Sequence, residues 1–166
     1  MQADHIRNII AGSSNIVCLS GLKVSMDCGC LNYRQEDGLY DLELKYGYTP
    51  DEIFSASFYN TRPRQFFEFY QNEFLNRTGT PNACHETLAQ MEQDGILKTV
   101  ITRELFGLSK RAGCKRVIEL HGNIYHNRCP RCGKEYDIAY MKAATPIPLC
   151  ETCGIPVRPA VCLMGE

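Results

Sequence analysis

Two Cys-x-x-Cys knuckles, Cys129 to Cys132 and Cys150 to Cys153, constrain this chain more than any other feature of its sequence. Each is followed by glycine, Gly133 and Gly154, which lets the chain turn tightly so that backbone N–H groups face the thiolates. Four soft thiolates at this spacing suit tetrahedral Zn2+ and leave no open coordination position, so the predicted site is structural rather than catalytic. The pairing of knuckles places this reading above a redox dithiol or unrelated free cysteines. Between them Lys134 and Lys142 are balanced by Glu135 and Asp137, so the segment is no basic patch.

Ten cysteines in 166 residues would suggest a disulfide framework in a small secreted protein. The start, MQADHIRNIIAGSSNIV, has no uninterrupted apolar stretch after a basic beginning, so it does not read as a secretory signal. A reducing cytoplasm with a metal site is therefore the expectation. The formal net charge is -1, and nothing points to a specific nucleic-acid partner or an acidic membrane surface. No run approaches the ~18 apolar residues of a membrane span.

Residues 4–12 predict a short amphipathic helix with Ile6, Ile9 and Ile10 on one side, and residues 15–20 a buried strand. Thr49 is placed as an N-cap ahead of Pro50, Asp51 and Glu52. Phe66, Phe69, Tyr70 and Phe74 fall at helical spacing and predict a core-facing helix rather than an aromatic ligand stripe. A second helix ends at Gly95 and is expected to turn Ala83, Leu88 and Met91 inward. The segments ILKTVIT and KRVIELHG then supply two more buried strands, with a short helix between them. This alternation predicts an α/β fold with a parallel sheet and ligands bound beyond the carboxyl ends of its strands. Those ends carry Ser20-Gly21, Thr102-Arg103-Glu104 and His121-Gly122.

With ELHGNIYHNRC and the knuckles just downstream, the chain resembles the sirtuins, the family of NAD-dependent protein lysine deacylases. The resemblance runs from about Asn15 to the end, through DGLY, TPNACHETLAQME, VIT followed by GL, VIELHG and RPAVCLMGE in the same order. It implies a partial Rossmann-like parallel sheet, the first half only, with an inserted four-cysteine zinc-ribbon module. The expected boundaries are 1–127 for the NAD-binding part, 128–157 for the zinc module and 158–166 for the return to the Rossmann-like part. Sirtuins continue past the point where this sequence stops, which would leave the strand at 15–20 with an open edge. A truncated frame, a fragment, or a protein partner covering that edge would each account for it.

By the same resemblance, His121 is the general base on the NAD ribose, a task that suits an imidazole of unperturbed pKa near ~6.5. Gly21, Lys23, Ser25, Tyr33 and Arg34 stand in the cofactor loop, and Arg103 and Glu104 in the motif after the second strand. His85 is expected to be structural, His126 to lie at the surface and His5 to be solvated.

The departures from the family pattern are equally informative. Its Gly-Ala-Gly-x-Ser is here Gly21-Leu22-Lys23-Val24-Ser25, and a lysine lacks the second glycine's freedom to adopt positive φ beside a pyrophosphate. Its Gly-Ile-Pro-Asp-Phe-Arg is Gly29-Cys30-Leu31-Asn32-Tyr33-Arg34. Its Gln-Asn-x-Asp is Arg103-Glu104-Leu105-Phe106, and Phe106 cannot accept a hydrogen bond from the nicotinamide amide. The resemblance thus implies an NAD-dependent deacylase with degenerate cofactor motifs, which moves an acyl group from a lysine on a protein or peptide to NAD-derived ADP-ribose. Three other classes stay open. One is a binding or regulatory relative without turnover. Another is an NAD glycohydrolase or ADP-ribosyltransferase in which Glu104 stabilises an oxocarbenium-like ribose. The last, a bare zinc-ribbon adaptor, leaves His121 unexplained.

Overall fold

A computed structural model describes residues 2–31 and 36–166. Tyr33 and Arg34 lie outside the described residues. The chain begins with α1 (Gln2–Ala11), β1 (Ile16–Ser20) and the short α2 (Leu22–Met26). Four helices follow, α3 (Glu36–Tyr46), α4 (Pro50–Ile53), α5 (Ala56–Thr61) and α6 (Pro63–Phe69), and α6 runs on as a π-helical turn over Tyr70–Leu75. Next come α7 (Ala83–Gln93), β2 (Leu97–Thr102), α8 (Leu108–Arg111) and β3 (Val117–Glu119). The last part holds β4 (Gly122–Arg128), β5 (Glu135–Tyr136), α9 (Ile138–Ala143) and β6 (Arg158–Val161). No helix among the described residues is long and apolar enough to cross a membrane.

Local chemistry sets the helix starts. Thr49 accepts the N–H of Glu52 while the Glu52 carboxylate accepts that of Thr49 at 2.9 Å, and Pro50 occupies the first turn, where no amide hydrogen is needed. Asn82 caps α7 in the same reciprocal way, with His85 as the returning partner. This cap also fixes the rotational phase of α7. His85, Ala89 and Glu92 face inward, whereas Ala83, expected inside, is exposed and Leu88 and Met91 are half-buried. Glu92 is held there by the backbone N–H groups of Lys115 at 2.5 Å and Arg116 at 2.8 Å. Its burial therefore meets a polar need that apolar periodicity does not register.

β1, β2 and β3 form the expected parallel sheet, in the order β1-β2-β3, with Leu19 beside Ile101 and Ile101 beside Ile118. One face packs on α7 through Ala89, Leu97, Val100 and Cys114. Among the described residues the other is uncovered. Val17 is 53% exposed, Leu19 72%, Ile118 50% and Leu120 52%. Parallel sheets are ordinarily covered on both faces, and the alternation along β1 puts Val17 and Leu19 together on the bare one.

The second sheet, β5-β4-β6, is antiparallel and draws on residues both before and after the span 128–157. The main core gathers the aromatic helices, the turn after β2 and the second sheet. Phe54, Phe66, Phe69, Tyr70 and Phe74 are all buried, and Phe74 stacks between Phe54 at 4.6 Å and Phe106 at 6.2 Å. The π-helical turn carries a buried acid, Glu73, which accepts hydrogen bonds from Lys45 at 2.7 Å and Tyr46 at 2.8 Å and pairs with Arg77 at 3.4 Å. Cys129, Tyr136, Met141 and Cys150 belong to this same core, so the cysteine module is packed into the body of the fold rather than tethered to it. Gln71 reinforces the join by donating to the carbonyls of Met141 at 2.9 Å and Ala144 at 3.1 Å.

Candidate metal centre and catalytic cavity

The sulfurs of Cys129, Cys132, Cys150 and Cys153 lie within 4.8 Å of one another. Each knuckle closes as its glycine requires: Gly133 N–H donates to Cys129 O at 3.0 Å and Gly154 N–H to Cys150 O at 2.8 Å, with φ of 74° and 66°. Those are left-handed conformations that a Cβ would strain. The Tyr136 hydroxyl donates to Cys150 Sγ at 3.3 Å, and this bond is the main reason the Cys150 thiol is pulled down to about 6. Contact with the Cys132 thiol, followed by burial, pushes Cys153 up to about 12. Four thiols so close together cannot all ionise unless a cation sits between them. A divalent ion resolves that conflict, and four sulfur donors in one tight cluster fit Zn2+ with no position left for a reactant.

A cavity of about 200 Å3 opens where the carboxyl ends of the three parallel strands converge. Leu22 enters it just after β1, Arg103 and Leu105 after β2, and His121 after β3. Residues 162–166, which follow β6, close the other side, and Phe54 forms part of the wall. His121 is tied to that far wall because its carbonyl accepts the N–H of Cys162 at 2.9 Å. Inside the cavity, Arg103 Nε lies 3.4 Å from His121 Nε2. The sequence-derived pair Arg103 and His121 is thus brought together on the cavity wall.

The other sequence-derived residues are placed differently. Glu104 is 2% exposed and turns away from the cavity. Its two oxygens accept the backbone N–H groups of Phe106 at 2.5 Å and Leu108 at 3.0 Å, so it organises the turn into α8. Burial, only partly offset by these bonds, raises its carboxyl above the usual range. Phe106 is 2% exposed in the aromatic core. Gly21 has extended backbone, φ -97° and ψ 175°, at the start of α2. Lys23 lies within that helix and is exposed. No non-glycine among the described residues has positive φ, so the lysine is accommodated without the backbone strain anticipated for it. Ser25 is buried and braces the loop: its Oγ donates to Leu22 O at 2.6 Å, and its carbonyl accepts the N–H groups of Cys28 at 3.1 Å and Cys30 at 3.3 Å. His85 is buried at the α7 cap, and His5 and His126 are exposed.

Sequence reasoning missed most of the cavity wall. Leu22, Leu105, Leu163 and Met164 sit in or beside quoted motifs, so their positions next to chemical residues were the available signal. Phe54 offered none, because its role comes from the fold of α4 against the strand ends.

The family model described as "Sir2 family" matches residues 21–166. The chain is 39% identical over 164 residues to a protein of Clostridium acetobutylicum named "NAD-dependent protein deacetylase", covering 98% of this chain and 67% of that one. It is 35% identical over 159 residues to an "NAD-dependent protein deacylase" of Aeropyrum pernix, covering 95% and 62%. The chain spans about two thirds of the length of these relatives. Among solved structures, one described as "Sir2-p53 peptide-NAD+" superposes with a TM-score of 0.83 at 29% identity, over 100% of this chain and 66% of that one.

Proposed function

Because the chain belongs to the Sir2 family, we propose that it serves NAD-dependent removal of acyl groups from lysine side chains of proteins or peptides. The observation that carries this reading is the placing of His121 in a cavity at the carboxyl ends of a parallel sheet, where α/β folds bind their ligands. Bound NAD would supply an electrophilic ribose carbon for the acyl oxygen, with nicotinamide as the leaving group. With NAD bound, the His121 imidazole would take a proton from a ribose hydroxyl so that its oxygen could accept the acyl group. The amide C–N bond would break to release the lysine amine, and one water would be consumed to free the O-acyl-ADP-ribose product. Leu22, Phe54, Leu105 and Leu163 line one part of the site with apolar side chains. The zinc cluster takes no part in the chemistry. It holds the module that carries β6 and, with it, the far wall of the cavity.

A second reading, a binding or regulatory relative without turnover, is favoured by one observation. Phe106 lies in the core, at the position where the family pattern has an acid for the nicotinamide amide. The NAD-consuming alternative loses support, since both Glu104 oxygens are taken up by backbone N–H groups. A cytoplasmic setting goes with the first reading, because thiols such as the exposed Cys84 stay reduced there. The uncovered sheet face and the edge of β1 suit a protein partner or further chain.

The test is to load purified protein with zinc, measure NAD binding, and follow nicotinamide release with and without an acetyl-lysine peptide. Peptide-dependent release that His121→Ala abolishes supports the deacylase. Release without peptide points to an NAD consumer, and NAD binding with no release to the binding relative.

A further inference from the structure

Apart from the zinc cluster, cysteines gather at a second place, where the loop after α2 meets the start of α7. Cys28 and Cys30 flank Gly29 in that loop, and Cys84 sits in the first turn of α7. The two segments are joined main chain to main chain, since Thr80 N–H donates to Cys28 O at 3.0 Å. Gly79, with φ of 60°, lies so close that a Cβ there would come within 2.4 Å of Cys28 O and 2.6 Å of Cys30 Sγ. Arg111 braces this contact by donating to the carbonyls of Thr78 at 2.9 Å and Gly79 at 2.8 Å. Cys28 Sγ lies 3.8 Å from Nδ1 of His85, the residue that follows Cys84.

These thiols are not equivalent. Cys84 is exposed, Cys28 half-buried and Cys30 buried. Cys30 donates to Thr78 O at 3.4 Å, and burial pushes its thiol up to about 12. Burial raises the Cys28 thiol too, with the Asp27 carboxylate and the nearby Cys84 thiol adding to the rise. A thiol held protonated is a poor nucleophile, so an oxidant arriving from solvent meets Cys84 first. His85 is buried, which lowers its pKa and leaves a neutral imidazole beside the Cys28 thiol.

We infer that Cys84 and Cys28 form an oxidation site, a thiol pair that hydrogen peroxide converts into a disulfide. The inference goes beyond the function proposed above and does not rest on it. The Cys84 sulfur attacks one peroxide oxygen. An S–O bond forms, the O–O bond breaks, and the departing hydroxide takes the thiol proton and leaves as water. The Cys28 sulfur then attacks the sulfur of that sulfenic acid. An S–S bond forms, the S–O bond breaks, and His85 passes the Cys28 proton to the departing hydroxide, which leaves as a second water. The two thiols are oxidised and the peroxide is reduced. The bridge ties the loop after α2 to α7, as a reversible bond suited to a reducing compartment.

The zinc-loaded chain is treated with equimolar hydrogen peroxide, alkylated and digested, and its cysteine peptides are mapped by mass spectrometry. A linked peptide joining Cys28 to Cys84, abolished by reductant, is expected, with zinc content retained. C84S should lose that bridge. C28S should stop at the sulfenic acid, so that dimedone labels Cys84 more in this variant than in wild type. Melting temperature and zinc content of the reduced proteins serve as folding controls. A wild type in which Cys28 and Cys84 both stay reduced overturns the inference, as does a bridge from Cys28 to Cys30 instead. Oxidation confined to the four zinc-cluster cysteines, with release of zinc, overturns it as well, and so does equal labelling of Cys84 in C28S and wild type.

Discussion

A Cβ on Gly122 would lie 1.9 Å from the carbonyl oxygen of Ala160. That close approach, with φ of 73° at Gly122, joins the start of β4 to β6, and the next hydrogen bond along ties His121 O to Cys162 N–H. The glycine is therefore what allows the candidate base and the far wall of the cavity to share one backbone junction. Gly122→Ala is expected to cost at least about 2 kcal/mol, because it adds positive-φ strain to a clash with main chain. It should also weaken ADP-ribose binding in the protein that remains folded. Denaturant unfolding and a binding titration check both, and a variant as stable as wild type contradicts the argument.

Metal analysis should find one zinc per chain, and chelation should lower the melting temperature. The module shares its core with the aromatic helices through Tyr136 and Met141, so its loss is felt beyond the cysteines. Hydrogen exchange should show protection lost first across residues 129–153, with β1, β2 and β3 retained longest. Cys132→Ser should reduce zinc content, whereas Cys84→Ser, an exposed cysteine outside the cluster, should not.

The buried carboxylate at Glu73 makes stability depend on acid. Burial acts to raise its pKa, but the hydrogen bonds from Lys45 and Tyr46 and the charge of Arg77 outweigh it and hold the group below the usual range. Because the folded value is depressed, the stabilisation is complete above the unfolded value of about 4.3 and is lost as pH falls through the folded one. Glu73→Gln is expected to lose about 1–3 kcal/mol at neutral pH and to converge on wild type in strong acid. Urea midpoints collected from about pH 7 down to about pH 2 decide it, since a gap that stays constant would exclude this role.

The bare face of the parallel sheet predicts association. Leu19 is 72% exposed beside an open strand edge, and Ile118 is 50% exposed on the same face. The chain studied alone should self-associate as its concentration rises. The double substitution Leu19→Lys, Ile118→Lys should suppress this while changing stability by less than about 1 kcal/mol. Sedimentation velocity at several concentrations, with unfolding curves alongside, tests both parts.

What the sequence alone determined is what is local. Cys129, Cys132, Cys150 and Cys153 announce their site because ligand type, spacing and the following glycines are written within a few residues of each other. Thr49 marks a helix start because its cap involves residues three apart, and the phenylalanines of α6 mark a buried face by their period. The parallel sheet follows from the alternation of strands with helices, and His121 from its place at a strand end. Only the tertiary structure decided where side chains at those strand ends point. Glu104 turns inward because the N–H groups of Phe106 and Leu108 need an acceptor, and adjacent Arg103 is left to face His121 across the cavity. Two neighbours in sequence thus part company for reasons that lie in the turn after them and in the turn between β3 and β4 that carries His121, eighteen residues away. Gly122 likewise shows no special need until β6 returns to lie against it. Periodicity and spacing encode what a segment demands of itself, whereas the direction of a polar side chain is settled by which distant backbone groups arrive unsatisfied.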